Sequence, residues 1–204
     1  MPPIPQLTKN LMIACTGVFV LQLFLPLSAW FALFPLGSGH FMPWQVVSYA
    51  FLHGGMGHLF FNMLGLWMFG SELERLWGQK RYAQFLLAGV LAAAVAQILV
   101  SQLTGTNNPT VGASGALFAL LLAFGMLFPN RVIMPLFPPI PMKARTFVLV
   151  FGGIELLLGS GLLDSLFGIG GGNIAHFAHL GGMVGGFLMI RYWRGHPPFG
   201  KRRR

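Results

Sequence analysis

Long apolar runs separated by short polar, glycine-rich or proline-rich connections fill most of the chain. The first runs from Leu11 to Leu36 and is interrupted by Pro26, a residue that kinks or ends a helix. Residues 37–56 contain no Lys, Arg, Asp or Glu and carry Gly37, Gly39, Pro43, Trp44 and Gln45, the pattern of a loop in the interfacial layer. A second run covers Gly57 to Phe69 and continues in more polar form to Gly78, before the basic turn Gln79-Lys80-Arg81. The third, Tyr82 to Leu103, is rich in Ala and Leu. An uncharged loop, Thr104–Val111, leads to a fourth run from Ser114 to Phe128. Residues 129–146 hold Pro129, Pro135, Pro138, Pro139 and Pro141 with Arg131, Lys143 and Arg145, and read as an irregular connection. The fifth run is Thr146 to Leu163. A Gly-rich, mobile loop, Asp164–Ile174, precedes the sixth, Ala175 to Tyr192.

A helix needs roughly 20 apolar residues to cross a bilayer. Six such elements fill the 204 residues and leave no room for a second domain. The chain is 55% hydrophobic and 8% charged, whereas soluble domains carry roughly 25% charged residues. The fold class expected is therefore an all-α membrane protein, a six-helix bundle over residues 11–192. A short N-terminus, 1–10, and a basic tail, 193–204, flank it. The first run is too long for the apolar core of a signal peptide. Cys15 is the only cysteine and forms no internal disulfide.

The net charge of +9 raises nucleic acid as a partner, but its distribution argues otherwise. With six spans, all 13 Lys and Arg fall on one side. The positive-inside rule puts that side, with both termini, in the cytoplasm. The partners expected are the bilayer and other membrane proteins. The start of the fourth span, with Ser114, then faces outward.

Thr110-Val111-Gly112-Ala113-Ser114-Gly115-Ala116 is the stretch around which chemistry is expected. Gly112 permits a sharp turn and Gly115 relieves crowding near the hydroxyl. Ser114 stands at a helix N-terminus, where free N–H groups and the helix dipole favour negative charge. That suits a nucleophile whose attack creates an oxyanion. Alone, the serine reads as a helix cap.

Ionisable and amide groups within apolar spans are costly and mark function. His58 and Asn62 are four apart and share a helix face; His53 lies just before that helix. In the last span His179, Gly182 and Gly186 fall on one face, and the fourth span offers Ala116, Ala119 and Ala123 at matching spacing. Small residues let helices approach closely. Packing the two stripes brings His179 beside Ser114 as nucleophile and base. His176 sits three residues before His179. Glu155 is placed to orient a partner or bond to backbone and receives no catalytic role. No metal or cofactor is expected. His53, His58, His176 and His179 are possible zinc ligands, but no Cys or carboxylate joins them at a standard spacing.

Together, His-x4-His-x3-Asn on the second span, Gly-Ala-Ser-Gly opening the fourth and Ala-His-x-x-Gly-x3-Gly on the sixth resemble the rhomboid intramembrane serine proteases of the bacterial six-span kind. The resemblance covers about Leu11 to Tyr192. It implies a Ser114–His179 dyad, with His58, Asn62 and the Ser114 N–H at the oxyanion site and His53 at a structural position. It also implies a stabilising segment at Glu74, Arg75 and Gly78, a membrane-embedded first loop, a cap at 164–174 and a lateral gate at the fifth span. The family's Trp-Arg pair in the first loop reads Trp44-Gln45 here. A wet cavity lined by His53, His58, Asn62 and His179 would open to the outer side of a bacterial inner membrane. With no third acid apparent, packing alone is expected to orient the imidazole. An inactive, client-binding relative and a small transporter are the competing classes; the spans show no inverted repeat to favour the latter.

Overall fold

The computed structural model describes residues 3–136, 139–162 and 176–195. The expected cap loop at 164–174, Ala175 at the start of the sixth run and the basic tail from 196 onward lie outside the described residues.

Among the described residues eight α-helices carry the architecture: α1 (Gln6–Gln22), α2 (Leu27–Phe31), α3 (Gln45–Ser48), α4 (Met56–Gly65), α5 (Ser71–Thr104), α6 (Ser114–Leu127), α7 (Ala144–Gly159) and α8 (His176–Trp193). A π-helical turn, Leu66–Gly70, joins α4 to α5. Met56–Thr104 is the one described helix long and apolar enough to cross a membrane; Ser114–Leu127 is apolar but shorter. The long run is broken at Gly78, whose φ of 74° and ψ of 163° depart from the helix. Glycine accepts that backbone without a Cβ penalty.

Two expectations are corrected. The first apolar run is not one helix from Leu11 to Leu36. Its helix begins earlier, at Gln6, and ends at Gln22; a short second helix starts after Pro26. Residues 37–56 are not an open loop, since α3 and two 3-10 turns fold within or at the edge of them. The proline-rich connection also contains a small antiparallel hairpin, β1 (Val132–Ile133) with β2 (Met142–Lys143).

Glu74 explains the early start of α1. Its carboxylate accepts from the Leu7 N–H at 2.9 Å, the Thr8 N–H at 2.7 Å and the Thr8 hydroxyl at 2.7 Å. The first N–H groups of a helix have no internal acceptor, and an anion there also meets the positive end of the dipole. Arg75 adds a bond to the Pro3 carbonyl at 2.9 Å. Glu74 and Arg75 thus tie the N-terminal segment and the start of α1 to the long run.

In the centre, α8 is held between α5 and α6. A Cβ at Gly181 or Gly185 would strike Ala96 and Ala92 of α5; one at Gly182 would overlap the Gly115 carbonyl of α6; one at Gly186 would lie 3.0 Å from the Ala119 Cβ. The close approach expected between the fourth and sixth runs is present, with a shifted register. Gly115 and Ala119 meet α8, while Ala116 lies against Gly89 of α5. Many large apolar side chains point outward instead, among them Phe24, Leu103 and Leu149.

Candidate active site

The loop before α6 is pinned from two directions. Leu33 and Thr110 exchange backbone hydrogen bonds, both 2.9 Å, and the Gly112 N–H donates to the Tyr49 carbonyl at 2.9 Å. Tyr49 is itself fixed, its hydroxyl donating to the Val90 carbonyl at 2.8 Å. Gln45 anchors the preceding segment. It accepts from the Phe34 N–H at 3.2 Å and donates to the carbonyls of Trp30 at 3.3 Å and His40 at 3.0 Å. The amide therefore supplies the polar anchoring that the missing arginine left unassigned.

Gly112 has φ of 122°, and a Cβ there would lie 2.6 and 2.7 Å from Cε1 and Nε2 of His58. Glycine is required both by the backbone angle and by the imidazole that covers it. His58 accepts the Gly54 N–H on Nδ1 at 3.3 Å. The proton of the neutral ring is thereby on Nε2, the edge facing Gly112. His58 and Ser114 are half-buried, open enough to be reached.

Ser114 opens α6, and its hydroxyl is bonded not to helix backbone but to His179 Nε2, at 2.7 Å. A hydroxyl hydrogen-bonded to an imidazole is the arrangement of an activated nucleophile and its base. Phe118, one turn beyond Ser114, stacks on the His179 ring with centroids 4.4 Å apart and planes 8° from parallel.

Glu155 on α7 completes the surroundings of His179. Its Oε2 lies 2.7 Å from His176 Nδ1, in an aligned hydrogen bond, and 2.9 Å from His179 Nδ1. The second contact is close but not aligned as a hydrogen bond, leaving His179 Nδ1 without a linear partner. The expectation that packing alone orients this imidazole is corrected: a carboxylate stands beside it. Sequence reasoning missed this contact, the stacking of Phe118 and the role of His176. The available signal was Glu155 itself, a carboxylate in an apolar run that must find a partner.

The remaining polar residues sit nearby in different roles. Asn62 is buried and donates to the His58 carbonyl at 2.8 Å, which leaves a second amide N–H to give. His53 is buried, 2% exposed, with its ring edge-on to His58 at 5.3 Å and neither ring nitrogen in an aligned hydrogen bond. Gln22 holds its backbone, accepting the His53 N–H at 2.9 Å and donating to its carbonyl at 3.2 Å. A cleft of about 180 Å³ lies between α1, α5 and the start of α6, but Leu11, Cys15, Leu86 and Val90 make it apolar. It is not the polar cavity expected around the four named residues. Glu155, His176 and His179 bring three potential metal-ligand atoms within 4.8 Å of one another. The carboxylate that sequence spacing did not supply for a metal site is thus contributed by a separate helix.

Residues 40–195 match the Rhomboid domain. The chain is 30% identical to rhomboid protease GluP of Bacillus subtilis over 147 residues, covering 71% of this chain and 25% of that protein. It is 27% identical to rhomboid protease GlpG of Yersinia pestis over 194 residues, 92% of this chain and 62% of that one. It is 33% identical to RHOMBOID-like protein 4 of Arabidopsis thaliana over 146 residues, 72% of this chain and 33% of the plant protein. The chain therefore spans a quarter to just under two thirds of these relatives.

Proposed function

We propose a function on one premise: the chain belongs to the rhomboid family. It is an intramembrane serine endopeptidase that cleaves membrane-protein substrates near the outer face through Ser114 and His179. The observation that carries this reading is the 2.7 Å contact between the Ser114 hydroxyl and His179 Nε2. The two names that describe relatives as rhomboid proteases support the same activity. The exposed Phe24, Leu103 and Leu149 suit contact with lipid. Six spans with both termini cytoplasmic account for the one-sided cations.

A peptide bond within a helix is shielded by its own backbone, so a substrate segment first unwinds; glycine, proline or polar residues near its outer end ease that step. Ser114 Oγ attacks the carbonyl carbon as its proton passes to His179 Nε2. The resulting oxyanion meets the Nε2–H of His58, the remaining amide N–H of Asn62 and the N–H at the start of α6. The tetrahedral species collapses to an acyl-enzyme as the imidazolium returns the proton to the leaving amine. Water, deprotonated by the same nitrogen, then releases the acid and restores the serine.

The test is a gel assay of wild type and Ser114→Ala on a single-span model substrate in detergent, with fluorophosphonate labelling alongside. Wild type cleaves and labels; Ser114→Ala does neither while remaining folded. Cleavage by the variant at the wild-type rate refutes the assignment. A folded wild type that neither cleaves nor labels favours the inactive, client-binding alternative.

A further inference from the structure

We propose that Glu155 is a positioning residue for the proposed hydrolysis. With His176 as its second partner, its carboxylate keeps the proton of neutral His179 on Nδ1 and leaves Nε2 free to accept from Ser114. The inference rests on reading Ser114 and His179 as nucleophile and base, and it replaces a two-residue device with one that reaches across three helices.

The geometry carries it. One oxygen, Glu155 Oε2, lies 2.7 Å from His176 Nδ1 and 2.9 Å from His179 Nδ1. A carboxylate oxygen only accepts, so contact with two imidazole nitrogens is favourable when both carry hydrogen. For His179, whose contact is close but not aligned as a hydrogen bond, the negative charge beside Nδ1 favours the tautomer that general-base chemistry needs: hydrogen on Nδ1 and a lone pair on Nε2, where the Ser114 hydroxyl sits at 2.7 Å. The opposite tautomer would set two donors against each other at Nε2, unless the hydroxyl turned away, and would place a lone pair beside the carboxylate. His176 holds the shared oxygen in an aligned bond, while Phe118 fixes the plane of the His179 ring from its face. The carboxylate side chain is 13% exposed, shielded from the water that would otherwise weaken the interaction.

The protons balance without one passing to Glu155. Ser114 gives its proton to Nε2, producing an imidazolium with N–H on both nitrogens. The Nδ1–H stays against the carboxylate, whose negative charge offsets the positive ring. The Nε2 proton then goes to the leaving amine. This is the orienting and charge-stabilising part that a carboxylate plays beside the histidine of soluble serine proteases.

Glu155→Gln keeps the size of the side chain but allows its amide to donate to Nδ1, favouring the unproductive tautomer. Cleavage of the single-span substrate, thermal unfolding and ¹⁵N spectra of histidine-labelled protein in micelles test the proposal on the full chain. In wild type the His179 signals show a protonated Nδ1 and an unprotonated Nε2. In Glu155→Gln that pattern is lost, kcat falls by roughly 10²-fold or more, and KM and Tm stay near wild type. His176→Phe, which removes only the second donor, costs less, about tenfold at most. A wild-type kcat in Glu155→Gln overturns the proposal, as does His179 protonated at Nε2 in the neutral wild-type enzyme. Activity abolished by EDTA and restored by zinc also overturns it, because those nitrogens would then ligate a metal. The assignment of Ser114 is tested separately, by cleavage and fluorophosphonate labelling of wild type and Ser114→Ala; a wild-type kcat in Glu155→Gln leaves it standing.

Discussion

His179 Nε2 lies 2.7 Å from Ser114 Oγ although the two residues are 65 positions apart in the chain. What closes that distance is backbone contact. At Gly182, one turn beyond His179, α8 rests directly on the carbonyl of Gly115, the residue after Ser114. The hydroxyl and the imidazole are therefore set by the separation of two helices rather than by flexible side-chain reach.

Gly182→Ala tests that dependence. Its methyl group would overlap the Gly115 carbonyl, which cannot rotate aside, so α6 and α8 must separate. A displacement on the order of 1 Å at a reacting centre costs roughly 10²-fold in rate. The expected result is a comparable fall in cleavage and fluorophosphonate labelling with helical circular dichroism retained. Labelling at the wild-type rate would show that the helices need not touch here.

His58 and Gly112 should behave as one device. If His58 donates to the oxyanion as proposed, His58→Ala should lower kcat by roughly 10²- to 10³-fold with little change in KM. Asn62→Ala should also lower kcat, but less, since its amide already gives one N–H to the His58 carbonyl. Gly112→Ala drives a methyl group into the His58 ring and strains a backbone at φ 122°. It should reproduce the His58→Ala defect, and adding it to His58→Ala should cost less than the two losses multiplied. Steady-state kinetics of the single and double variants decides the matter.

Glu74 should govern stability rather than chemistry. Glu74→Ala leaves the Leu7 and Thr8 N–H groups and the Thr8 hydroxyl without their acceptor. Loss of a cap and exposure of unpaired buried donors together should cost about 2 kcal/mol or more. Thermal unfolding in detergent should show a lowered Tm, with activity per folded molecule retained at low temperature. An unchanged Tm would remove this carboxylate from the role.

His53 should make the fold acid-sensitive. Burial, aided by the neighbouring His58, pushes its imidazole down from 6.5 to about 4. The unfolded chain therefore binds a proton between those values that the folded chain refuses. Stability contributed by the neutral ring is full above pH 6.5 and declines as pH falls toward about 4. Tm measured across that range should drop more steeply for wild type than for His53→Phe. Parallel curves would show that another group carries the acid response.

The locations of apolar segments, the glycine stripe on α8 and the chemistry-bearing residues were legible because each is local. Period, composition and residue type survive in one dimension. Gly112, Ser114 and Gly115 announced a turn into a helix, and α6 begins at Ser114. The failures were also physical. Pro26 signalled a break, but nothing near Gln6 told of a carboxylate 66 positions away that satisfies the start of α1. Gln45 was readable as a departure from a family pair, not as an amide long enough to reach three backbone groups.

Residue identity and spacing were enough to read the chain as apolar, helical and of rhomboid type, and to single out Ser114 and His179. They sufficed because those properties are local to each segment. Helix packing alone brings Phe118 onto His179, turns Ala116 toward α5 and places one oxygen of Glu155 beside two histidines. Those relationships depend on the rotation and depth at which separate helices pack, and no spacing along a single segment encodes either.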